Sequence, residues 1–407
     1  MIRTFYCATL ALAASTALSA QAIEAPSYSA LLQQSLQQAP YLIEKAADVS
    51  AAAGEAQQAR AWRNPSIDVL AENLNAPPSG GASQRQTTYS FTQPLEVFGQ
   101  RGARRAVADR SLEAAQAWQR QAEIDFAAQL AVTYATAEAA IARQGITHDD
   151  VGRAEEDLRA AKAMVEAGKE ANLRQAQAVA GLSAAQAMAA AADAETANAL
   201  QQLSALVGAA EPYTSVETGL LDREPVAGST VEGVSPAVVS AQAELAAREA
   251  AVRVEQKKRL PELGVTVGRR EFEAGGDGLV VGLTATVPLF DRNTGSIQAA
   301  RARADAADAR LSGARLQAEA ARRGARAEVE ASRTRVAAAT AGEAAASEAY
   351  QMGRLGYEAG RTSLVELLMT RRALTEARMA VLDARLSRIK AYAALAQANG
   401  RIAFGDL

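Results

Sequence analysis

The sequence predicts a mainly α-helical protein with a small β part, in which long α-helical hairpins carry short β-hairpins and the whole plan is written twice. Three observations carry this reading. Of 407 residues, 49% are hydrophobic but only 4% are aromatic, and alanine dominates the apolar count. Alanine is the best helix former and lets helices approach closely, whereas compact cores lean on large rings. Second, landmarks recur at near-constant spacing. Pro65 in RNPSIDVLAEN matches Pro261 in RLPELGVTVGRR at an offset of 196, and Pro94 in QPLEVFGQRGARR matches Pro288 in VPLFDRNTGSIQAAR at 194. Gly168 in VEAGKEANLRQ matches Gly360 in YEAGRTSLVEL at 192. Third, four short runs alternate apolar and polar residues, the period-two signature of strands.

Residues 1–22, MIRTFYCATLALAASTALSAQA, place Arg3 before an apolar stretch and end on small-x-small Ala20-Gln21-Ala22. This is the pattern of a cleaved secretory signal. The mature chain is then expected to start at Ile23 and to lack cysteine, because Cys7 is the only one. The first repeat spans 23–207, with a lead-in helix over about 27–63, strands at 66–73 and 86–93, a helical region from Gly99 to Gly168, and a returning helix over 171–207. Residues 208–235, rich in glycine and proline, form the inter-repeat linker. The second repeat spans 236–407, with a helix over 236–259, strands at 262–270 and 279–287, a helical region from Gly295 to Gly360, and a returning helix over 363–399.

In the strands Ile67, Val69 and Ala71 oppose Ser66, Asp68 and Glu72, while Leu279, Val281, Leu283 and Ala285 oppose Gly282, Thr284 and Thr286. Each run is about the length a tilted strand needs to cross a bilayer, with apolar residues outside and polar residues inside. Four strands cannot close a barrel around a water-filled lumen, so copies are expected to pool their strands. A continuous helix from Gly99 to Gly168 is roughly 100 Å long. Gly145 with His148, and Gly313, Gly324 and Gly342, mark positions for breaks. The last helix carries a coiled-coil-like stripe of Leu364, Leu367, Leu374, Val381, Leu382, Leu386, Ile389 and Ala393. Pro94 and Pro288 fit strand exits because proline cannot donate to a ladder. Gly99, and Gly295 in the second half, are expected to let the chain bend from strand into helix. The arginines of RGARR read either as solvated helix surface or as contacts to lipid head groups.

A net charge of −3 implies no nucleic-acid face. After the first segment no stretch of 18 apolar residues appears, so no transmembrane helix is expected. No catalytic, cofactor or metal site is read from the chain. His148, the only histidine, lies in GITHDD and suits a helix break with solvated charges better than a metal site.

The paired motifs QPLEVFGQRGARR and VPLFDRNTGSIQAARA, with YEAGRTSLVEL, resemble the TolC-type outer-membrane efflux channels over nearly the whole mature chain, most of all their cobalt–zinc–cadmium (heavy-metal) branch. The resemblance implies a homotrimer whose four strands per copy make a twelve-stranded β-barrel in outer-membrane lipid of a Gram-negative bacterium, continued by a coiled-coil barrel of helices through the periplasm. It also implies a periplasmic adaptor (membrane fusion) protein and an inner-membrane pump of the resistance–nodulation–division (RND) class as partners, with heavy-metal cations such as cobalt, zinc or cadmium as cargo. The adaptor contacts then fall on the helical tips, at Gly168, Lys169, Ala171 and Asn172 and at Gly360, Arg361, Ser363 and Leu364. Six residues past each tip glycine the family often has an acid facing the pore; here the second half has Glu366 and the first half Arg174. These two either latch the aperture or are ordinary wet helix residues. No lipid-bearing cysteine follows the signal, and the short tail to Leu407 leaves 208–235 to supply most of an equatorial belt. Other readings are a duct for type I protein secretion or multidrug efflux, or, from another class, a periplasmic coiled-coil scaffold or adaptor without a pore.

Overall fold

The computed structural model describes residues 23–223 and 233–405. The expected signal segment with Cys7, linker residues 224–232 and the last two residues lie outside the described residues. A two-residue strand β1 (Glu24–Ala25) leads to helices α1 (Tyr28–Gln38) and α2 (Pro40–Ala59). The single lead-in helix expected over 27–63 is therefore two. Pro40 occupies the first turn of α2, and Ala39 before it is extended at φ −64° and ψ 128°. Proline disfavours the helical region for the residue that precedes it and is well tolerated at a helix start. Pro236 opens α5 (Pro236–Lys257) in the same way, 196 residues later.

Strands β2 (Ser66–Glu72) and β3 (Gln86–Leu95) precede α3 (Gln100–Glu166) and α4 (Asn172–Val207). A second two-residue strand, β4 (Ser215–Val216), pairs in parallel with β1. After α5 come β5 (Glu262–Phe272), β6 (Asp277–Thr286), α6 (Thr294–Glu358) and α7 (Leu364–Ala398). Helices α3 and α6 are continuous over 67 and 65 residues, each roughly 100 Å. Neither breaks at Gly145, His148, Gly313, Gly324 or Gly342, correcting that expectation. One glycine inside a helix costs only about 1 kcal/mol, and packing along the rod overrides it.

Helix α3 packs on α2, α4, α5 and α7, and α6 packs on α5 and α7. Near the strands the helices therefore stand in the order α2-α3-α5-α6, and toward the tips in the order α4-α3-α7-α6. One layer of helices with two open flanks results. The largest apolar cluster lies at mid-height, where α1, α3, α4 and α7 meet the ends of the chain around Phe126, Leu130, Tyr134, Leu203 and Ile389. A second cluster near the tips gathers Tyr350, Tyr357, Leu364, Leu367 and Leu374.

The four long strands form one antiparallel sheet in the order β2-β3-β5-β6. Among the described residues the outer edges of β2 and β6 are unpaired. The backbone turns into helix through left-handed residues, Gly99 at φ 80° and Asn293 at φ 54°. The second bend therefore falls on Asn293 and not on Gly295, which lies in the first turn of α6. Asparagine tolerates this conformation better than other side chains. Here its amide also donates to the Glu255 carbonyl at 2.9 Å. Pro94 sits within β3, opposite Gly264, and Pro288 lies just past β6.

Candidate functional site

The sheet has two chemically different faces. Register places Ile67, Phe91, Val267 and Val281 in one row, and Val69, Tyr89 and Leu279 share the next with Arg269. These apolar side chains stand in the open; Ile67 is 77% exposed and Leu279 78%. Seven large apolar groups on one uncovered face form a patch that soluble monomers rarely show. The opposite face carries Thr92, Thr266 and Thr284 in one ladder, with hydroxyl oxygens 2.8 Å and 3.5 Å apart. Arg270 donates to the Thr88 hydroxyl at 3.0 Å and lies 3.5 Å from Glu72. Leu70 and Val280 depart from the alternation on this polar face. Gly268 is required where β3 and β5 approach, because a Cβ there would sit 2.6 Å from the Tyr89 carbonyl oxygen.

Where strands become helices, Arg104 forms an ion pair with Glu96, whose side chain is only 6% exposed. Arg101 stacks on Trp62, 4.4 Å from the ring centre. Phe290 is fully exposed beside Leu289 and Val287. Aromatic and cationic side chains thus edge the apolar face of the sheet, as at membrane–water boundaries.

At the far end both hairpins close in the same way. Gly168 at φ 69° and Gly360 at φ 71° terminate the descending helices. The Lys169 N–H donates to the Met164 carbonyl at 2.9 Å, and the Arg361 N–H to the Gly356 carbonyl at 2.8 Å. These are Schellman closures, which need a residue at positive φ. Ser363 caps α7 by accepting from the Glu366 N–H at 3.3 Å, placing the Glu366 carboxylate in the first helical turn. Ala171, its counterpart, offers no side-chain cap. Lys169, Ala171, Asn172, Gly360, Arg361 and Ser363 are exposed. Leu364 is not: it is 0% exposed and packs within its own hairpin, which corrects its assignment as a contact residue. Leu173 and Val365, at equivalent positions 192 residues apart, are exposed apolar tip residues that motif reading missed. Within the chain Arg174 pairs with Glu170 at 3.4 Å and with Gln177 at 3.1 Å, so its first partners belong to its own tip.

Above the tips Arg371 is sandwiched between Asp150 and Asp157, at 3.1 Å from a carboxylate oxygen of each. Thr375 donates to Asp150 at 2.8 Å. Burial pushes the Asp157 carboxyl up to about 6, against the pull of Arg371. The contact explains why the cation loses: the Arg371 Nε and Asp157 Oδ2 atoms are close but off hydrogen-bond geometry, and neither has another partner. At mid-height the Glu138 carboxylate accepts backbone N–H bonds from Gly219, Leu220 and Leu221 at 2.6, 3.1 and 3.1 Å. Burial raises its pKa while those three donors oppose the shift. Tyr134 donates to the Pro26 and Glu217 carbonyls at 3.0 and 2.8 Å, tying the start of the chain and the linker to α3. His148 lies 2.9 Å from Asp193 on an exposed, unbroken stretch of α3. Among the described residues, no group of three or more His, Cys, Asp or Glu is placed to hold a metal ion.

An open sheet with one lipid-compatible face and one hydroxyl-lined face, mounted on an open layer of very long helices, is one wall segment of a β-barrel and helical-tube channel. The chain belongs to the outer membrane efflux protein family, whose model matches residues 31–209 and 229–401. It is 54% identical over 408 residues to the nickel-cobalt-cadmium resistance protein NccC of Alcaligenes xylosoxydans xylosoxydans, covering 100% of this chain and 93% of that one. It is 51% identical to the nickel and cobalt resistance protein CnrC of Cupriavidus metallidurans over 95% of this chain and 93% of that one. The cobalt-zinc-cadmium resistance protein CzcC of the same organism is 32% identical over 64% of this chain and 62% of its own length. Among solved structures, VceC of Vibrio cholerae superposes with a TM-score of 0.75 at 20% identity, over 92% of this chain and 96% of that one. The open state of the Neisseria gonorrhoeae MtrE channel gives 0.76 at 20% identity, over 92% and 89%. At that identity the likeness concerns the fold.

Proposed function

We propose that three copies of the chain assemble into an outer-membrane exit duct for divalent metal cations. The observation that carries this reading is the four-stranded sheet, unpaired at both edges, apolar on one face and hydroxyl-lined on the other. Three such sheets edge to edge give a wall of twelve strands, enough for an aqueous lumen. The open helix flanks continue the same wall as a tube. Nickel and cobalt are the preferred cargo, since both relatives above 50% identity are named for resistance to those two metals. Cadmium and zinc stand behind them. A conduit needs no tight metal site, because tight binding slows exit.

In this reading the exposed tip residues Lys169, Asn172, Leu173, Arg361 and Val365 meet a periplasmic adaptor that links the duct to an inner-membrane RND pump. Glu366 and Arg174 lie near the aperture of the tube, where an Arg174–Glu366 contact between neighbouring copies latches it. The deciding experiment is a deletion strain challenged with nickel, cobalt, cadmium and zinc salts, with membranes fractionated in parallel. Increased nickel and cobalt sensitivity, restored by the gene, is expected, with the protein in the outer-membrane fraction and migrating as a trimer before boiling. A monomer in the soluble periplasmic fraction refutes the duct, and unchanged metal tolerance refutes the cargo.

A further inference from the structure

A groove of about 500 Å³ crosses α3 between α2 and α5. Its floor is one stripe of α3, where Ala114, Ala115 and Ala122 leave room beside Trp118. Tyr41, Lys45 and Asp48, spaced as i, i+4 and i+7, form the α2 wall. Glu244 and Arg248 form the α5 wall, and Glu244 is the repeat counterpart of Asp48, 196 residues on. Trp118 and Tyr41 stand 45% and 47% exposed. Two rings half in water above an alanine floor offer a large contact area to a flat ligand.

Two contacts fix which way the groove opens. Tyr134 and Glu138 hold the chain start and the linker against α3. They lie 16 and 20 residues beyond Trp118, about 4.4 and 5.6 helical turns, and so on the opposite side of the rod. At its upper end the groove shares Val107 and Ser111 with the cavity beside Arg63. Arg63 pairs at 3.2 Å with Glu262, which alternates with Leu263 and so shares the hydroxyl-lined face of the sheet with Thr266 and Thr284. Resting on the assembly proposed above, that is the face toward the lumen.

The charges of the groove select a cation. Lys45 is held by Glu44 and Asp48 at 2.8 and 3.2 Å, and Arg248 by Glu244 at 3.4 Å. Asp125, about two turns past Trp118 on the same stripe, is held instead by the neutral amides of Gln121 and Gln397, at 3.3 and 2.8 Å. Its charge is therefore offered to the groove. The Lys45 ammonium also stands 5.8 Å from the centre of the Tyr41 ring, so one cation already rests against this aromatic wall. Among the described residues no three His, Cys, Asp or Glu side chains converge to hold a metal ion, so the groove suits a spread charge better than a bare divalent ion. We propose that it binds flat aromatic organic cations, which stack on Trp118 and face the Asp125 carboxylate, and that the duct handles such cations as well as metal ions. The volume matches a ligand of a few fused rings. The site is weak, because a lumen that held its cargo tightly would not conduct.

The probes are proflavine, a tricyclic cation, anthracenesulfonate, a tricyclic anion, and tetraethylammonium, a cation without a ring. Proflavine fluorescence anisotropy is expected to rise saturably with purified trimer, and neither of the other two should displace the dye. Trp118→Ala keeps a good helix former in an alanine-rich rod and should weaken binding roughly two- to thirtyfold, the span of one cation–π contact. Asp125→Asn should weaken it comparably, and Trp118→Phe less than Trp118→Ala. In a Trp62→Phe background Trp118 is the only tryptophan, and proflavine should quench its emission. In planar bilayers proflavine should lower the single-channel conductance of the parent and spare that of Trp118→Ala. Equal competition by the anion, binding unchanged in both groove variants, or binding without any effect on conductance overturns the proposal. Trimer yield is measured separately with an amine-reactive crosslinker. Trimers that fail these tests overturn the groove site while leaving the assembly intact, and absence of trimer from the unmutated protein overturns both.

Discussion

Arg371 is the most telling residue to remove. Its side chain is 8% exposed and neutralises two carboxylates, Asp150 at 12% and Asp157 at 4% exposure. Replacement by methionine fills a similar volume but leaves both acids buried without a cation. Breaking a buried pair on one side typically costs about 3–5 kcal/mol. The cost depends on pH in a sense fixed by Asp157, whose pKa stands at about 6 against an ordinary 3.8. For an acid with a raised pKa the folded state holds the proton more tightly than the unfolded chain. Its favourable contribution is complete below 3.8 and is lost as pH rises through about 6. That difference is worth about 3 kcal/mol at neutral pH. Without Arg371 the Asp157 pKa rises further, so acidification relieves the variant more than the parent. Apparent melting of Arg371→Met trimers is therefore expected to fall sharply at pH 7.5 and much less at pH 5.5. Arg371→Met/Asp157→Asn recovers part of the loss at pH 7.5. An equal deficit at both pH values, or none, refutes the assignment of the cluster as a buried, partly unmet charge network.

Glu138→Ala removes the acceptor for three linker N–H groups and is expected to cost about 2–4 kcal/mol and to expose residues 219–221 to proteolysis; an unchanged cleavage pattern disproves the anchor. Gly268→Val forces the β3–β5 junction apart and should cut trimer yield several-fold, whereas Gly282→Val, whose Cβ would meet Thr266 at an ordinary contact distance of 3.7 Å, should cut it less; equal yields count against the close approach. Val365→Asp or Arg361→Glu should abolish metal resistance at normal trimer yield, and retained resistance refutes tip docking. Glu366→Ala should raise single-channel conductance at a cost of less than about 1 kcal/mol from the altered helix start; unchanged conductance discards the aperture role.

Local periodicity made the strands legible: Ser66–Glu72 and Glu262–Phe272 begin where alternation begins. The stripe from Leu364 to Ala393 was legible for the same reason. Glycine is a weaker guide: in the long rods Gly145, Gly313, Gly324 and Gly342 break nothing, and the second bend falls not on Gly295 but on Asn293, at the offset of 194 from Gly99. The break at Pro40 was readable from the rule for residues before proline. Leu364 shows a different limit. A tip residue at helix position N1 points either outward or into its hairpin, and only the packing against Tyr357 and Leu367 decides. The Arg371 cluster was beyond reach, because Asp150 lies 221 residues away and no local pattern announces a contact at that distance.

The repeat governs the backbone more faithfully than the charges, and this determines what each experiment reports. At the offset of 192 that relates the two tips, Arg371 corresponds to Val179, which is 44% exposed. The α3–α7 seam inside one chain thus carries a buried ion cluster, while its repeat image, the α4 flank, presents an apolar side chain at the equivalent position. A change at Arg371 perturbs the seam within a copy and leaves the flank that meets its neighbour chemically intact. Loss of melting temperature without loss of trimer yield is the outcome this asymmetry requires of Arg371→Met.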